Sequence, residues 1–318
     1  MKSIASAPGK VILFGEHFVV YGVKAILCSI DKRITVTSKL ADNNSIKIES
    51  SLGKIEANVD SISTLKESSA LLMKPLIYIV TKTLEKFKKN VGIEIKIESE
   101  IPAGIGLGSS SACCVATAAS VTGLFEKLTR EEILKFAIEA ERTIFQNTSG
   151  ADCSVCTYGG IIEYDKKSGF KKINSNIDLG LVIANTAQPH FTSELVEKVR
   201  EFRENNEDLF VSLCEQESNL IQKALSALED RNLLTLGKLM SENQLLLERI
   251  GISTQKLAFL VEEAKKTAYG AKITGAGGGG CVIALTDKTN LNNTLTSLGK
   301  HADCFSARID YKGLLDTF

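Results

Sequence analysis

The sequence predicts an α+β protein of two domains, and three observations carry the prediction. The chain has 318 residues, more than one hydrophobic core usually serves. Strand-like and helix-like patterns are interleaved in both halves without a repeating β-α unit, which argues against a doubly wound sheet. A composition of 44% hydrophobic and 24% charged residues is that of an ordinary globular chain able to fill two such cores. The segment from Asp178 to Leu181 is the candidate boundary, giving domains 1–178 and 179–318. No internal repeat or low-complexity tract is visible.

Each element can be justified in order. In the first hundred residues "KVILFGEHFVV", "RITVTSKL", "SIKIES" and "VGIEIKIESE" read as strands, the last with strict alternation of isoleucine and charge. One helix interrupts them, "ESSALLMKPLIYIVTKTLEKFKK", with Leu72, Leu76, Ile79, Val80 and Leu84 at helical spacing. Its Pro75 is tolerable only in the first turn or at a kink. "SSACCVATAASVTGLFEKL" is rich in small residues and free of proline, which suits a buried helix packed closely on its neighbours. Thr129 with Glu132 forms a capping box ahead of "REEILKFAIEAERTIFQ", whose Ile133, Phe136, Ala137 and Ala140 share one face.

From "YGGIIEYD" through "LGLVIANT" the pattern returns to strands, and the second half then turns helical. "SELVEKVREF", "DLFVSLCEQESNLIQKALSAL", "LLTLGKLMSENQLLLERI" and "TQKLAFLVEEAKK" carry apolar stripes. The stretches "AKITGAGGGGCVIALT" and "CFSARID" are strand-like and bracket a weaker helix, "NNTLTSLGK".

Charge and cysteine usage exclude several classes of function. The 38 basic residues balance the 38 acidic ones, so there is no global footprint for nucleic acid or an anionic membrane. No window approaches the roughly 18 apolar residues of a membrane helix, and the apolar start is cut by Gly15, Glu16 and His17 before it can act as a signal sequence. A cytoplasmic protein is the expectation. Cys153 and Cys156 form a C-x-x-C, but the other six cysteines and three histidines supply no second ligand pair. Buried free thiols are expected instead.

Two glycine-rich runs raise a question about phosphate. In "IPAGIGLGSSSA" the glycines 104, 106 and 108 lie between a strand-like run and a helix. A helix N-terminus offers unpaired N–H groups, and glycines before it let a polyanion approach the backbone. The hydroxyls of Ser109, Ser110 and Ser111 suit capping, a phosphate oxygen or a magnesium ion. These residues alone fit a phosphate cradle and a tight turn with an N-cap equally well. No G-x-x-x-x-G-K-[ST] is present, so a Walker-type loop is excluded. "GAGGGG", Gly275 to Gly280, satisfies G-x-G-x-x-G formally, yet the strand-like "CVIAL" follows where a dinucleotide fold needs a helix. Nor does the chain carry the H-R-D and D-F-G of a protein kinase. Close backbone approach to a ligand is what remains for this second run.

A third run, "APGKVILFGEH", sets Lys10, Glu16 and His17 around a short apolar strand. Together "APGKVILFGEH", "PAGIGLGSSSA" and "TGAGGGGC" resemble, in order and spacing, the three signature motifs of the GHMP small-molecule kinases. The match covers essentially the whole chain. Within that superfamily "GKVILFGEHFVVYG" and "ERTIFQNTSGADCSVCTYGG" are most similar to the mevalonate kinase family. The resemblance implies an N-terminal domain like ribosomal protein S5 domain 2 and a ferredoxin-like C-terminal domain, with the active site in the cleft between them.

It also implies roles for residues. Asp152 matches the catalytic aspartate and Lys10 the lysine beside it. A carboxylate next to an ammonium stays ionised and is suited to receive the hydroxyl proton as the alcohol attacks the γ-phosphate. Pro102, Ala103, Gly104, Ile105, Gly106, Leu107, Gly108, Ser109, Ser110 and Ser111 match the ATP-binding turn. Ser110 and Glu141 match the ligands of Mg2+. Glu16, His17, Thr192 and Gly277, with Lys10 and Asp152, match the substrate side. Where this chain has His190, mevalonate kinases commonly carry arginine. The implied partners are ATP and mevalonate, and the apolar stripes of the second half suit a homodimer. Phosphomevalonate kinase, homoserine kinase, sugar kinase, mevalonate diphosphate decarboxylase and a non-catalytic ATP sensor are the alternatives.

Overall fold

Alternating apolar and polar residues in the first part of the chain build one large, mostly antiparallel sheet. The structure is a computed structural model that describes residues 1–51, 53–61, 73–102, 104–146, 148–175, 177–189 and 191–317. The sheet contains β1 (Lys2–Phe14), β2 (Ala25–Leu40), β3 (Ser45–Ser50), β4 (Gly53–Asn58), β5 (Ile93–Ser99), β6 (Ile161–Asp165) and β7 (Gly169–Ile173). The long β2 serves two partners: Ala25–Cys28 pairs with β6 and Ile34–Leu40 with β5. Only β3 and β5 run parallel.

Among the described residues this sheet is accompanied by helices α1 (Lys74–Phe87), α2 (Ser109–Thr122), α3 (Arg130–Glu141) and α4 (Ala151–Tyr158). Pro75 falls in the first turn of α1, where its missing N–H costs nothing. Residues 67–72 of the expected helix, Leu72 among them, lie outside the described residues. Helix α2 is buried nearly all round and packs on β1, β2, α1 and α3, which its small side chains permit. The capping box of α3 is present, with Thr129 accepting from the Glu132 N–H and Glu132 accepting from the Thr129 N–H. The pattern predicted a helix to Gln146, but α3 ends at Glu141. There the β-branched Thr143 and Ile144 enter a tighter turn whose N–H groups reach back to Ala140 and Glu141.

A second sheet, in the order β11-β8-β10-β9, is wholly antiparallel: β8 (Gly180–Asn185), β9 (Gly270–Thr274), β10 (Cys281–Thr286) and β11 (Asp303–Arg308). The helices of this half are α5 (Thr192–Asn205), α6 (Glu207–Glu229), α7 (Leu233–Arg249), α8 (Gln255–Lys265) and α9 (Leu291–Gly299). Helices α7 and α8 pack on β9, and α9 on β8 and β11. The strand β10 directly follows the second glycine run, as expected against a dinucleotide fold.

After β11 the chain returns to the first sheet, where β12 (Leu315–Thr317) pairs with β1. Arg33 ties this return down. Its guanidinium donates to the Asp310 carboxylate and, at 2.7 Å each, to the Ser6 and Gly313 carbonyls. All eight cysteines are unpaired, and most are buried. Among the described residues no helix is long and apolar enough to cross a membrane.

Candidate active site

Lys10 stands near the middle of β1, and its ammonium lies 3.1 Å from the Asp152 carboxylate in the first turn of α4. The lysine side chain is 5% exposed and the aspartate 34%. The cation therefore sits beneath the carboxylate, and the carboxylate faces open space. The Lys10 N–H donates to the Leu107 carbonyl at 2.9 Å, which fastens β1 to the glycine turn.

That turn is anchored by its apolar residues and open along its glycines. Ile105 and Leu107 are buried, whereas Pro102, Gly104 and Gly106 are exposed, and a Cβ at either glycine would meet nothing within 4 Å. Ala103 lies outside the described residues. Gly108 is the N-cap of α2 at φ +74, and a Cβ there would come within 2.6 Å of Lys10 Cγ. No serine caps this helix. Its first-turn N–H groups thus lack a side-chain acceptor, as a site for a polyanion requires. Ser109 and Ser110 are half-buried beside them.

Glu141, at the end of α3, lies behind this turn and is 4% exposed. Ser111 Oγ donates to one of its oxygens, and Thr148 Oγ1 donates to the other at 2.5 Å. Ser110 instead hydrogen-bonds the Cys114 thiol one turn on. Burial, and secondarily the nearby Asp152 charge, push the Glu141 pKa up. The Cys153 thiol also donates to Glu141, at 3.8 Å, and Asp152 with its Lys10 partner lies close by, so hydroxyl and carboxylate oxygens are gathered behind the start of α2. That donor set fits a hard divalent cation.

Glu16 and His17 follow β1 and reach the second sheet. His17 has φ +59 and ψ −46, and the Phe18 N–H donates to the Glu16 carbonyl at 2.6 Å across it. This is a γ-turn of the rare positive-φ kind. His17 Nε2–H donates to the Ala276 carbonyl at 2.8 Å, and burial lowers the imidazole pKa. Glu16 is buried against Lys272 of β9. Burial raises the Glu16 pKa and lowers that of Lys272, each against the other's attraction. Gly277 backs onto the Ile252 carbonyl, and Leu195, one turn on from Thr192, lies against Gly278. Thr192 itself is exposed at the start of α5. His190 lies outside the described residues.

Several polar groups here escaped the sequence reading. Thr274 Oγ1 accepts from the Ile12 N–H at 2.9 Å and donates to the Ile12 carbonyl at 3.1 Å, joining the two sheets. Glu217 of α6 accepts from the Gly15 N–H at 2.8 Å and from the Asn243 amide. Burial, and secondarily Glu16, push its pKa up to about 7. A signal existed for both buried charges. Glu217 interrupts the apolar stripe Phe210, Leu213, Leu220, Ile221 and Ala224, and Lys272 interrupts an otherwise apolar strand.

Known proteins resemble this chain in sequence and in fold. The GHMP kinases N terminal domain family matches residues 75–160, and the GHMP kinases C terminal family matches residues 224–304. The mevalonate kinase of Pyrococcus horikoshii is 40% identical over 296 residues, covering 89% of this chain and 88% of its own. That of Methanothermobacter thermautotrophicus is 34% identical over 322 residues, covering 99% and 100%. The crystal structure of the Methanococcus jannaschii mevalonate kinase superposes with a TM-score of 0.86 at 32% identity, covering 96% of this chain and 98% of that one. The L. major mevalonate kinase in complex with R-mevalonate gives 0.83 at 25% identity, covering 96% and 95%. With full-length likeness in sequence and in fold, and with both halves matched, the chain belongs to the GHMP kinases and, within them, to the mevalonate kinase family.

Proposed function

We propose that the protein transfers the γ-phosphate of ATP to the primary alcohol of mevalonate, giving 5-phosphomevalonate, by direct in-line displacement without a phosphoenzyme. The observation that carries the reading is the Lys10–Asp152 pair, 3.1 Å apart beside the N-terminus of α2. Asp152 is the catalytic carboxylate: its exposed oxygens orient the alcohol and receive its proton as the oxygen attacks phosphorus. Lys10, fixed from beneath, orients the carboxylate and offsets charge in the transition state. In phosphoryl transfer, positioning and electrostatics of this kind supply most of the catalysis.

The turn from Pro102 to Ser111 is assigned to the ATP phosphates, supported by its open glycines and the uncapped helix start. Ser110 and Glu141 are assigned to Mg2+, supported by their hard oxygen donors and by the buried Glu141 carboxylate lying behind the start of α2. Bound there, Mg2+ would supply neutralisation of the phosphate charge. Ser111 and Thr148 keep Glu141 oriented toward that position. Glu16, His17, Thr192 and Gly277 are assigned to the mevalonate side. We place residues 1–178 and 179–318 as the two domains, and the enzyme in the cytoplasm, which its unpaired cysteines favour. A homodimer is assigned on the exposed Leu209, Val211, Leu234 and Leu245 of α6 and α7.

The test is a coupled ADP-release assay with mevalonate, phosphomevalonate, homoserine and galactose, with product identification and carbon dioxide detection. Preference for mevalonate without carbon dioxide release supports the reading. Equal or better turnover of another acceptor ends it.

A further inference from the structure

The His17 turn is held in a conformation that a non-glycine residue adopts only under constraint. What constrains it comes from two helices and a strand of the second half of the chain, α6, α7 and β9. On the side before His17, the Gly15 N–H donates to Glu217 Oε1 at 2.8 Å. The Glu16 carboxylate is paired with the Lys272 ammonium, which also donates to the Ile273 carbonyl at 2.7 Å. Glu217 is in turn held by Asn243 of α7, and β9 is held by Gln244 of the same helix, whose Oε1 accepts from the Ile273 N–H at 2.9 Å.

Stability is a poor account of this cluster. Glu16, Lys272 and Glu217 are all essentially inaccessible to water; the Lys272 ammonium is paired with Glu16, while the Glu217 carboxyl is held only by the Gly15 N–H and the Asn243 amide among the described residues. Glu16 Oε2 and Asn243 Oδ1 find no hydrogen-bond partner among the described residues. Burying such groups is expensive, and apolar side chains of similar volume usually serve a core as well or better. The cluster does one thing that an apolar core does not: it fixes both residues on the N-terminal side of a strained turn, from α6 and from β9, the strand that leads into the second glycine run. Lys272 lies three residues before Gly275, and the ring of His17 bonds Ala276 within that run.

We propose that Lys272 and Glu217 are positioning residues for the acceptor end of the cleft: they clamp Glu16 and Gly15, and so hold Glu16 and His17 where the alcohol substrate binds. They touch neither the Lys10–Asp152 pair nor the ATP turn. The inference rests on the reading of Glu16 and His17 as substrate residues.

The test is steady-state kinetics of Glu217→Leu, Glu217→Gln and Lys272→Met, with mevalonate and ATP varied separately, and calorimetric titration of mevalonate into each variant; Glu217→Leu and Lys272→Met remove a clamping bond, and Glu217→Gln keeps the acceptor for the Gly15 N–H as the conservative control. The expected result in Glu217→Leu and Lys272→Met is a rise in the mevalonate KM of about tenfold or more, the loss of one charged hydrogen bond, with the ATP KM within about twofold of wild type. Calorimetry shows a matching loss of mevalonate affinity. Glu217→Leu deletes the acceptor for the Gly15 N–H at similar size and Glu217→Gln, which keeps it, restores a mevalonate KM near wild type, so this pair carries the test if Lys272→Met does not fold. An unchanged mevalonate KM in Glu217→Leu overturns the proposal. So does a fall in kcat with both KM values unchanged, the signature of fewer folded molecules. Wild-type turnover of mevalonate tests the underlying reading separately; for whichever alcohol the wild type accepts, the ratio of variant to wild-type KM still decides this inference.

Discussion

Gly108→Ala probes the junction on which the catalytic assignment turns. Gly108 has φ +74, and a Cβ built there lies 2.6 Å from Lys10 Cγ and 3.2 Å from Lys10 Cε. Two costs follow. A left-handed alanine costs about 1–2 kcal/mol of stability. In a chain of this size that lowers Tm by several degrees at most. The second cost falls on chemistry, because Lys10 must swing away from its place 3.1 Å from Asp152. Losing one fixed group that offsets transition-state charge costs about 3 kcal/mol, or roughly a hundredfold in kcat. The control is Gly104→Ala, at φ +75 with nothing within 4 Å of its Cβ. It bears the same backbone strain without touching Lys10, and is expected to raise the ATP KM while largely preserving kcat. Coupled turnover assays on both variants, with melting curves, separate the effects. Turnover of Gly108→Ala within about threefold of wild type would refute the placement of Lys10, since the ~2.6 Å contact leaves the side chain no room to stay.

Three further outcomes are expected. Glu217 has a pKa pushed up to about 7 from its ordinary 4.5, so between those values the folded protein holds a proton that the unfolded chain has released. Stability from this group is therefore present at low pH and is lost as pH rises to 7, by at most about 3 kcal/mol; thermal melts at pH 5 and 8 show a smaller difference in Glu217→Gln than in wild type. Ser111→Ala removes the hydroxyl that donates to Glu141, and the Mg2+ concentration for half-maximal turnover rises several-fold, read by metal titration, with the fold unchanged by circular dichroism. Thr129→Ala breaks the capping box of α3 and lowers unfolding free energy by about 1 kcal/mol in a denaturant titration, without changing KM for either substrate.

Strongly patterned segments were legible in the sequence. The alternation in β5, the capping box at Thr129 and the apolar stripes of α6 and α7 each describe one face against a core, and each formed as patterned. Elements without such a face were not legible. β4 and β7 are short, largely exposed strands, and β12 is three residues whose pairing depends on the Arg33 tether rather than on its own pattern. Helix α4 spans eight residues and carries Asp152, yet periodicity has little to work on in so short a stretch. The site divides the same way. Runs contiguous in sequence announced Lys10, Asp152 and both glycine turns. Pairings across the fold did not: nothing local distinguishes Ser111 from Ser110, and only the structure puts Ser111 on Glu141. Glu217 and Lys272 are charges on otherwise buried faces that the sequence reading passed over, and their partnerships with Gly15 and Glu16 join segments about 200 and 250 residues apart, beyond any local pattern.

The central claim is that the Asp152 carboxylate, held by Lys10, serves the attacking alcohol. Single-turnover phosphoryl transfer by Asp152→Asn, with ATP, Mg2+ and mevalonate at saturation, tests it most directly. The substitution keeps the shape of the side chain and removes its charge and its ability to take a proton. The expected result is binding of both substrates with transfer slowed by about a thousandfold or more. Transfer at the wild-type rate would contradict the assignment.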